Sequence, residues 1–161
     1  MRYAGIIKDD INNGRGIGLT LFTQGCTHHC PHCQNPETWG KNGGSEFTPE
    51  ILEDIVKYFK EHKYATRLTL SGGDPLDSLE LTTLVLTTLK KEIPYLQVWL
   101  YTGYIFEDIS NNPLLQYIDI LVDGPFRNDL RDITLKFRGS SNQRLINVQD
   151  SLKTGEIVLY E

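Results

Sequence analysis

Cys26, Cys30 and Cys33 are the only cysteines of this 161-residue chain, and all lie in Cys26-Thr27-His28-His29-Cys30-Pro31-His32-Cys33. Thiolates ligate zinc and iron–sulfur clusters, and Cys30-x2-Cys33 is a tight chelating turn. The ligand count carries the reading. A structural zinc site is closed by four protein ligands, and a four-iron cluster takes one ligand per iron. Three thiolates leave one iron to a ligand from outside the protein, much as a catalytic zinc keeps one position open. The stretch therefore reads as a loop holding a reactive cluster. Two alternatives stand beside it. His28, His29 or His32 completes a Cys3His zinc set, or the cysteines hold no metal and two of them pair. Disulfides suit small secreted domains, which this chain does not resemble.

A second constellation is Ser71-Gly72-Gly73-Asp74-Pro75-Leu76. Two glycines let a ligand approach the backbone closely, and Asp74 offers a carboxylate for an ammonium group. The plainer alternative is a turn in which Asp74 caps a helix that Pro75 opens.

The surrounding pattern indicates how these loops are positioned. Leu19–Thr23 reads as a strand leading into the cysteine loop. Thr48 as N-cap and Pro49 at the first turn start a helix through about His62, with Ile51, Leu52, Ile55, Val56 and Phe59 at helical spacing. Leu68–Leu70 is a strand. A second helix spans about Ser78 to Glu92 and ends before Pro94. Val98–Tyr101 is a strand, Ile105–Ser110 a short helix, and Ile118–Val122 a strand. Gly155–Tyr160 reads as a final edge strand, and residues 1–18 as a short apolar piece followed by a glycine-rich turn, Gly14 to Gly18. Short apolar strands alternating with helices predict an α/β fold, a mostly parallel sheet covered by helices. A complete eight-fold barrel takes about 250 residues, so a partial, open βα barrel is expected, as one domain over residues 1–161. Working residues in such folds sit at the C-terminal strand ends. That directs attention to Gly25–Cys33, Ser71–Pro75, Thr102–Tyr104 and Asp123–Pro125.

Net charge is −5, with no dense Lys/Arg run, which argues against a general nucleic-acid or anionic-membrane binder. No apolar run approaches the roughly 20 residues needed to cross a bilayer. Lys8-Asp9-Asp10 interrupts the N-terminus too early for a signal peptide. The expectation is a cytoplasmic protein, where clustered cysteines more often bind metal or catalyse.

The C-x3-C-x2-C motif with a Gly-Gly-acid loop on the next strand resembles the radical S-adenosylmethionine superfamily. Gly25-Cys26, Trp39, Ser71–Leu76, Trp99–Tyr104, Phe106–Ile109, Asp123-Gly124 and Arg138–Arg144 narrow the resemblance to the activating proteins of the anaerobic ribonucleoside-triphosphate reductase, over most of the chain. The resemblance implies a radical S-adenosylmethionine barrel, with Cys26, Cys30 and Cys33 holding a [4Fe–4S] cluster. The remaining iron would bind the amino and carboxylate groups of S-adenosyl-L-methionine. Cofactor contacts are implied for His32, Cys33 and Gln34, and for Gly72, Gly73 and Asp74 toward the methionine amino group. The implied reaction is one-electron cleavage of the sulfonium to methionine and a 5′-deoxyadenosyl radical. That radical then takes a hydrogen atom from a glycine of the large reductase subunit. An electron donor such as flavodoxin is implied as a further partner, and the large subunit is expected to cover the open side of the barrel. Where the family carries a proline in the glycine turn and an arginine before the first strand, this chain has Arg15 and Gly18, and Arg15 is a candidate for the missing cation. Arg138 and Arg144 are candidates for a cofactor carboxylate or the partner, or form a solvated basic edge.

Two other functions remain in view. One is activation of a different glycyl-radical enzyme. The other is a non-catalytic zinc-binding adaptor, which predicts no effect of Gly73 or Asp74 variants beyond a helix cap of about 1 kcal/mol.

Overall fold

The computed structural model describes residues 1–33 and 35–160. Strands β1 (Arg2–Asp10), β2 (Gly18–Thr23), β3 (Ser45–Glu46), β4 (Arg67–Gly72), β5 (Gln97–Tyr101), β6 (Ile120–Asp123) and β7 (Arg144–Asn147) form one sheet in the order β3-β1-β2-β4-β5-β6-β7. The central run β2-β4-β5-β6 is parallel, and β1, β3 and β7 join it antiparallel. The sheet is open, with β3 and β7 at its edges. Helices α1 (Pro49–Glu61) and α2 (Leu79–Glu92) connect the parallel strands, while α3 (Phe106–Ile109) and α4 (Val148–Thr154) are short.

The local signals account for the two long helices. The Thr48 hydroxyl accepts the Ile51 N–H, and Pro49 occupies the first turn of α1. Lys90 and Lys91 lie in the last turn of α2, where positive charge suits the helix dipole.

Side chains alternate faces along a strand, and that alternation builds two different environments. Leu19, Leu21, Leu68, Leu70, Val98, Leu100 and Leu121 face the helices and join Ile55, Phe59, Val85 and Leu89 in the main core. The opposite face carries Phe22, Ser71, Tyr101 and Val122 at one level, paired Phe22↔Ser71 and Tyr101↔Val122. Thr20, Thr69, Trp99 and Ile120 lie one pleat below, and Gly18 and Arg67 below those. Trp99, Ile120 and Val122 form a second apolar cluster on this face. Phe137 and Tyr160 cover Trp99 edge-on, at 5.2 and 5.5 Å between centroids.

A buried polar group fills the bottom of this face. Arg67 is fully buried. Its Nη1 donates to the Gly14 and Gly16 carbonyls, its Nη2 to the Asp10 carbonyl and its Nε to the Thr69 hydroxyl. The Asp10 carboxylate lies 3.4 Å from Nη2. The glycine turn is wrapped around this side chain. A Cβ at Gly14, whose φ is +137°, would sit 2.5 Å from Arg67 Cδ, and one at Gly18 would sit 2.2 Å from the Arg67 carbonyl oxygen. Arg15 turns outward instead and lies over the Tyr160 ring, 5.2 Å from its centroid. The cation organising this turn is therefore Arg67.

Burial pushes the Asp10 carboxyl up, but hydrogen bonds from Thr20, Asn12 and Asn13 and the Arg67 charge outweigh it, leaving it below the usual 3.8. A carboxylate with a depressed native pKa stabilises the fold above its unfolded pKa and loses that contribution as pH falls through the native value. The stability gap between the wild-type protein and Asp10→Asn is therefore expected to be constant above about pH 5 and to narrow below 3.8. Urea midpoints at a series of pH values measure it.

Several elements differ from the sequence expectation, β3 and α4 among them. The opening piece is a nine-residue strand, β1, whose register shifts break the alternation that would have marked it. Strand β6 starts at Ile120, because a 3-10 turn at Pro113–Tyr117 runs on to Ile118. The last strand is Arg144–Asn147, and 155–160 contributes only an isolated bridge, Ile146↔Leu159. Asn147 caps α4 by accepting the Asp150 N–H, and Gly155 closes it in the left-handed region, φ +76°. Those two residues are ordinary helix-boundary signals.

Candidate metal centre

The cysteine loop leaves β2 and is stitched to the chain on both sides. Gly25 N–H donates to the Thr38 carbonyl at 2.6 Å, and Cys26 N–H to that of Trp39 at 3.2 Å. The Gln24 side-chain amide donates to the Glu37 and Gly40 carbonyls. On the other side Gly73 N–H donates to Thr23 and Asp74 N–H to Gly25, both at 2.9 Å. This approach leaves no room for side chains. A Cβ on Gly73 would lie 2.3 Å from the Gly25 carbonyl oxygen, and one on Gly72, at φ +101°, 2.5 Å from Thr23 N.

Within the loop, Cys33 N–H donates to the Cys30 carbonyl at 3.1 Å, closing the expected turn. His29 and His32 have positive φ, +49° and +59°, a region uncommon for residues other than glycine. Such outliers concentrate at functional sites.

All three cysteines line one cavity of about 510 Å³. The other three strand-end loops reach the same cavity through Gly72, Gly73 and Asp74, through Thr102 and Gly103, and through Gly124. Phe22, Ser71, Tyr101 and Val122 form its sheet wall. The four loops expected to work together therefore meet. The segment 131–139 also lines the cavity, with Phe137 and Arg138, a placement that no local pattern announced.

Asp74 is 1% exposed. Its Oδ1 accepts the Leu76 N–H, as the cap reading anticipates. Its Oδ2 accepts the Gly103 N–H, the Thr102 hydroxyl donates to the carboxylate, and His28 Nε2 lies 2.6 Å from Oδ2. A carboxylate has about four lone-pair sites, and these four groups take them. Asp77 forms a second tie, accepting from Thr27 N–H, the Thr27 hydroxyl and the Tyr104 hydroxyl. Two carboxylates of the β4–α2 connection thus anchor the cysteine loop and the β5 loop together. The Asp74 hydrogen bond raises the His28 pKa, against the effect of burial.

The remaining expected residues are distributed as follows. His32 is exposed, with its side chain outside the cavity wall. Gln34 lies outside the described residues. Arg138 lines the cavity and donates to the Gln143 carbonyl. Arg144 is neither a cavity residue nor a solvated edge. Its guanidinium joins buried Asp123 to Glu107, with contacts of 2.6 Å to each.

The donor set fits an iron–sulfur cluster. Burial raises the Cys26 thiol pKa, so a cation is needed to hold it as the thiolate that binds metal. Asn35 N–H already points at Cys33 Sγ, 3.4 Å away. The groups close enough to share a single ion are Cys26, His28 and Asp77, within 4.8 Å of one another. Among the described residues that trio omits Cys30 and Cys33, so it is not a Cys3His set, and its imidazole and carboxylate already have protein partners. Among the described residues no helix is long and apolar enough to cross a membrane.

Residues 12–146 match the protein family described as a 4Fe-4S single cluster domain. Curated relatives include the anaerobic ribonucleoside-triphosphate reductase-activating proteins of Vibrio cholerae serotype O1 and of enterobacteria phage T4. The first is 38% identical over 148 residues, 89% of this chain and 96% of the relative. The second is 37% identical over 155 residues, 94% and 97% respectively. The protein of that name from Haemophilus influenzae is 37% identical over 148 residues.

Proposed function

The chain belongs to the family of anaerobic ribonucleoside-triphosphate reductase-activating proteins, and on that premise we propose that it is a radical S-adenosylmethionine activase. In this reading it generates the glycyl radical on the large subunit of the anaerobic ribonucleoside-triphosphate reductase. The observation that carries the reading is the meeting of three thiols and the Gly72-Gly73-Asp74 loop in one open cavity. The open sheet is then a partial barrel of the radical S-adenosylmethionine type.

Cys26, Cys30 and Cys33 would hold a [4Fe–4S] cluster, leaving one iron for S-adenosyl-L-methionine. When bound, the cluster supplies the low-potential electron that cleaves the sulfonium, delivered by a donor such as flavodoxin. The chain's own residues position and exclude. The Gly72-Gly73 loop borders the cavity where the methionine amino group would lie. Asp74 holds that loop to Thr102, Gly103 and His28, because an ammonium group could reach its carboxylate only by displacing one of those donors. The backbone at His32 would lie by the adenine, and Cys33 and Gln34 are the other cofactor contacts of this segment. The wall of Phe22, Tyr101 and Val122, with the 131–139 segment, limits water at the reacting carbon. A cytoplasmic location accompanies this function.

Electron paramagnetic resonance on the anaerobically reconstituted, reduced protein tests the proposal. A four-iron signal that changes on adding S-adenosyl-L-methionine is expected, and single Cys→Ser changes at positions 26, 30 and 33 are expected to abolish it. Stoichiometric zinc with no iron–sulfur signal would overturn the proposal.

A further inference from the structure

Tyr101 carries a hydroxyl that the chemistry above does not use. The residue stands on the cavity face of β5, at the level of Ser71 and Val122, and lines the cavity. Its hydroxyl makes no hydrogen bond among the described residues. The sealed side-chain polar atoms without a partner there are Trp39 Nε1 and Asn142 Oδ1, so the Tyr101 hydroxyl opens onto space. The charges that act on it are those of Arg67 and Asp10, which lie at the base of this face. Burial raises the phenol pKa, against the Arg67 charge, and the group stays a neutral donor and acceptor.

The same part of the cavity carries two amides. Asn12 and Asn13 line it, in the turn that precedes β2, whereas the cysteine loop leaves the other end of that strand. The Thr69 hydroxyl donates to the Asn13 carbonyl at 2.7 Å, which lays the turn against the sheet face one pleat below Tyr101. Asn12 N–H and Asn13 Nδ2 donate to the Asp10 carboxylate, at 2.8 and 2.7 Å. Asn12 is exposed, and among the described residues its side-chain amide and the Asn13 Oδ1 make no hydrogen bond. The cavity floor thus presents a hydroxyl, a whole amide and an amide carbonyl, all uncharged and all with capacity to spare.

On the activase reading above, we propose that the Tyr101 hydroxyl and the Asn12 and Asn13 side-chain amides form the subsite that holds the main chain of the partner's glycine segment. A glycine offers no side chain to recognise. What it offers is its own and its neighbours' N–H and C=O groups, which are neutral donors and acceptors that need partners once water is excluded. Neutral hydroxyl and amide groups match them, whereas a charged side chain buried there would require a counter-charge. Tyr101, Asn12 and Asn13 are positioning residues and take no part in bond breaking.

Tyr101→Phe keeps the ring in the cavity wall and deletes the hydroxyl, and Asn12→Ala removes an amide that no described residue holds. The rate of glycyl-radical formation on the full-length large subunit is read by paramagnetic resonance against the concentration of that subunit. The half-saturating concentration of large subunit should rise roughly tenfold in the double variant, each lost hydrogen bond contributing a several-fold part. The half-saturating concentration of S-adenosyl-L-methionine, read from the change in the cluster signal, should stay at the wild-type value. An unchanged requirement for the large subunit in loaded variants overturns the proposal alone. So does a raised requirement for S-adenosyl-L-methionine, which would assign these groups to the cofactor. If Tyr101→Phe fails to take up iron, Asn12→Ala decides by the same two readings. Wild-type protein that binds zinc and gives no cluster signal overturns the activase reading and this proposal together.

Discussion

Arg67→Met is expected to destabilise the protein by about 3–5 kcal/mol, the usual cost of removing one partner from a buried ion pair. The change leaves the Asp10 carboxylate, 4% exposed, without its counter-charge. It also leaves the Gly14 and Gly16 carbonyls without the donor around which their turn is folded. Lysine should recover little, because one ammonium cannot reproduce the planar fork that serves the Thr69 hydroxyl and three carbonyls at once. Urea midpoints for Arg67→Met, Arg67→Lys, Asp10→Asn and the double variant Arg67→Met/Asp10→Asn measure this. The double variant should lose less than the sum of the singles, since the two residues share one network. A midpoint for Arg67→Met close to wild type would show that the network contributes nothing net. Asn12 and Asn13, which line the cavity, belong to the same turn, so ligand binding is expected to weaken alongside stability.

Asp74→Ala has the second large effect, about 3 kcal/mol or more. It orphans the Leu76 and Gly103 N–H groups and the Thr102 hydroxyl, at about 1–3 kcal/mol for each buried donor left unpaired. It also frees His28, and with it the middle of the cysteine loop. Iron incorporated on reconstitution should fall together with the denaturation midpoint. Asp74→Asn keeps one acceptor oxygen for Leu76, but turns an amide toward Gly103 and His28, and should fall between wild type and alanine. A loss of only about 1 kcal/mol, the usual cost of a lost cap, would show that the ties to β5 and His28 are energetically idle.

These expectations change what the Gly-Gly-Asp loop can reveal. A zinc adaptor was expected to tolerate Gly73 and Asp74 variants apart from a lost cap. Because a Cβ on Gly73 would meet the Gly25 carbonyl oxygen at 2.3 Å, and because Asp74 joins two loops, both positions are structural whatever metal is bound. Metal identity and the response to S-adenosyl-L-methionine separate the readings. The stability of these variants does not.

The features legible in the chain without its fold are local or countable. Three cysteines in eight positions leave a four-iron cluster one ligand short, and no folding is needed to see it. Thr48-Pro49 and the apolar spacing after it specify α1. The alternation of apolar runs with helical stretches specifies a mostly parallel sheet, and hence the strand ends where the loops meet. Which polar groups consume one another depends on contacts made only in the folded chain. Arg67 finds Asp10 across 57 positions, Asp74 finds Thr102 across 28, and Arg144 finds Asp123 across 21. A carboxylate open to a ligand and one already filled by protein donors look identical in sequence, as do a solvated arginine and a buried one. Trp39 belongs with them: the resemblance names it, but only the fold stacks it on His29 beside the cysteines. Local propensity and ligand count depend on residues close in the chain, whereas desolvation and hydrogen-bond saturation depend on neighbours that only the fold supplies.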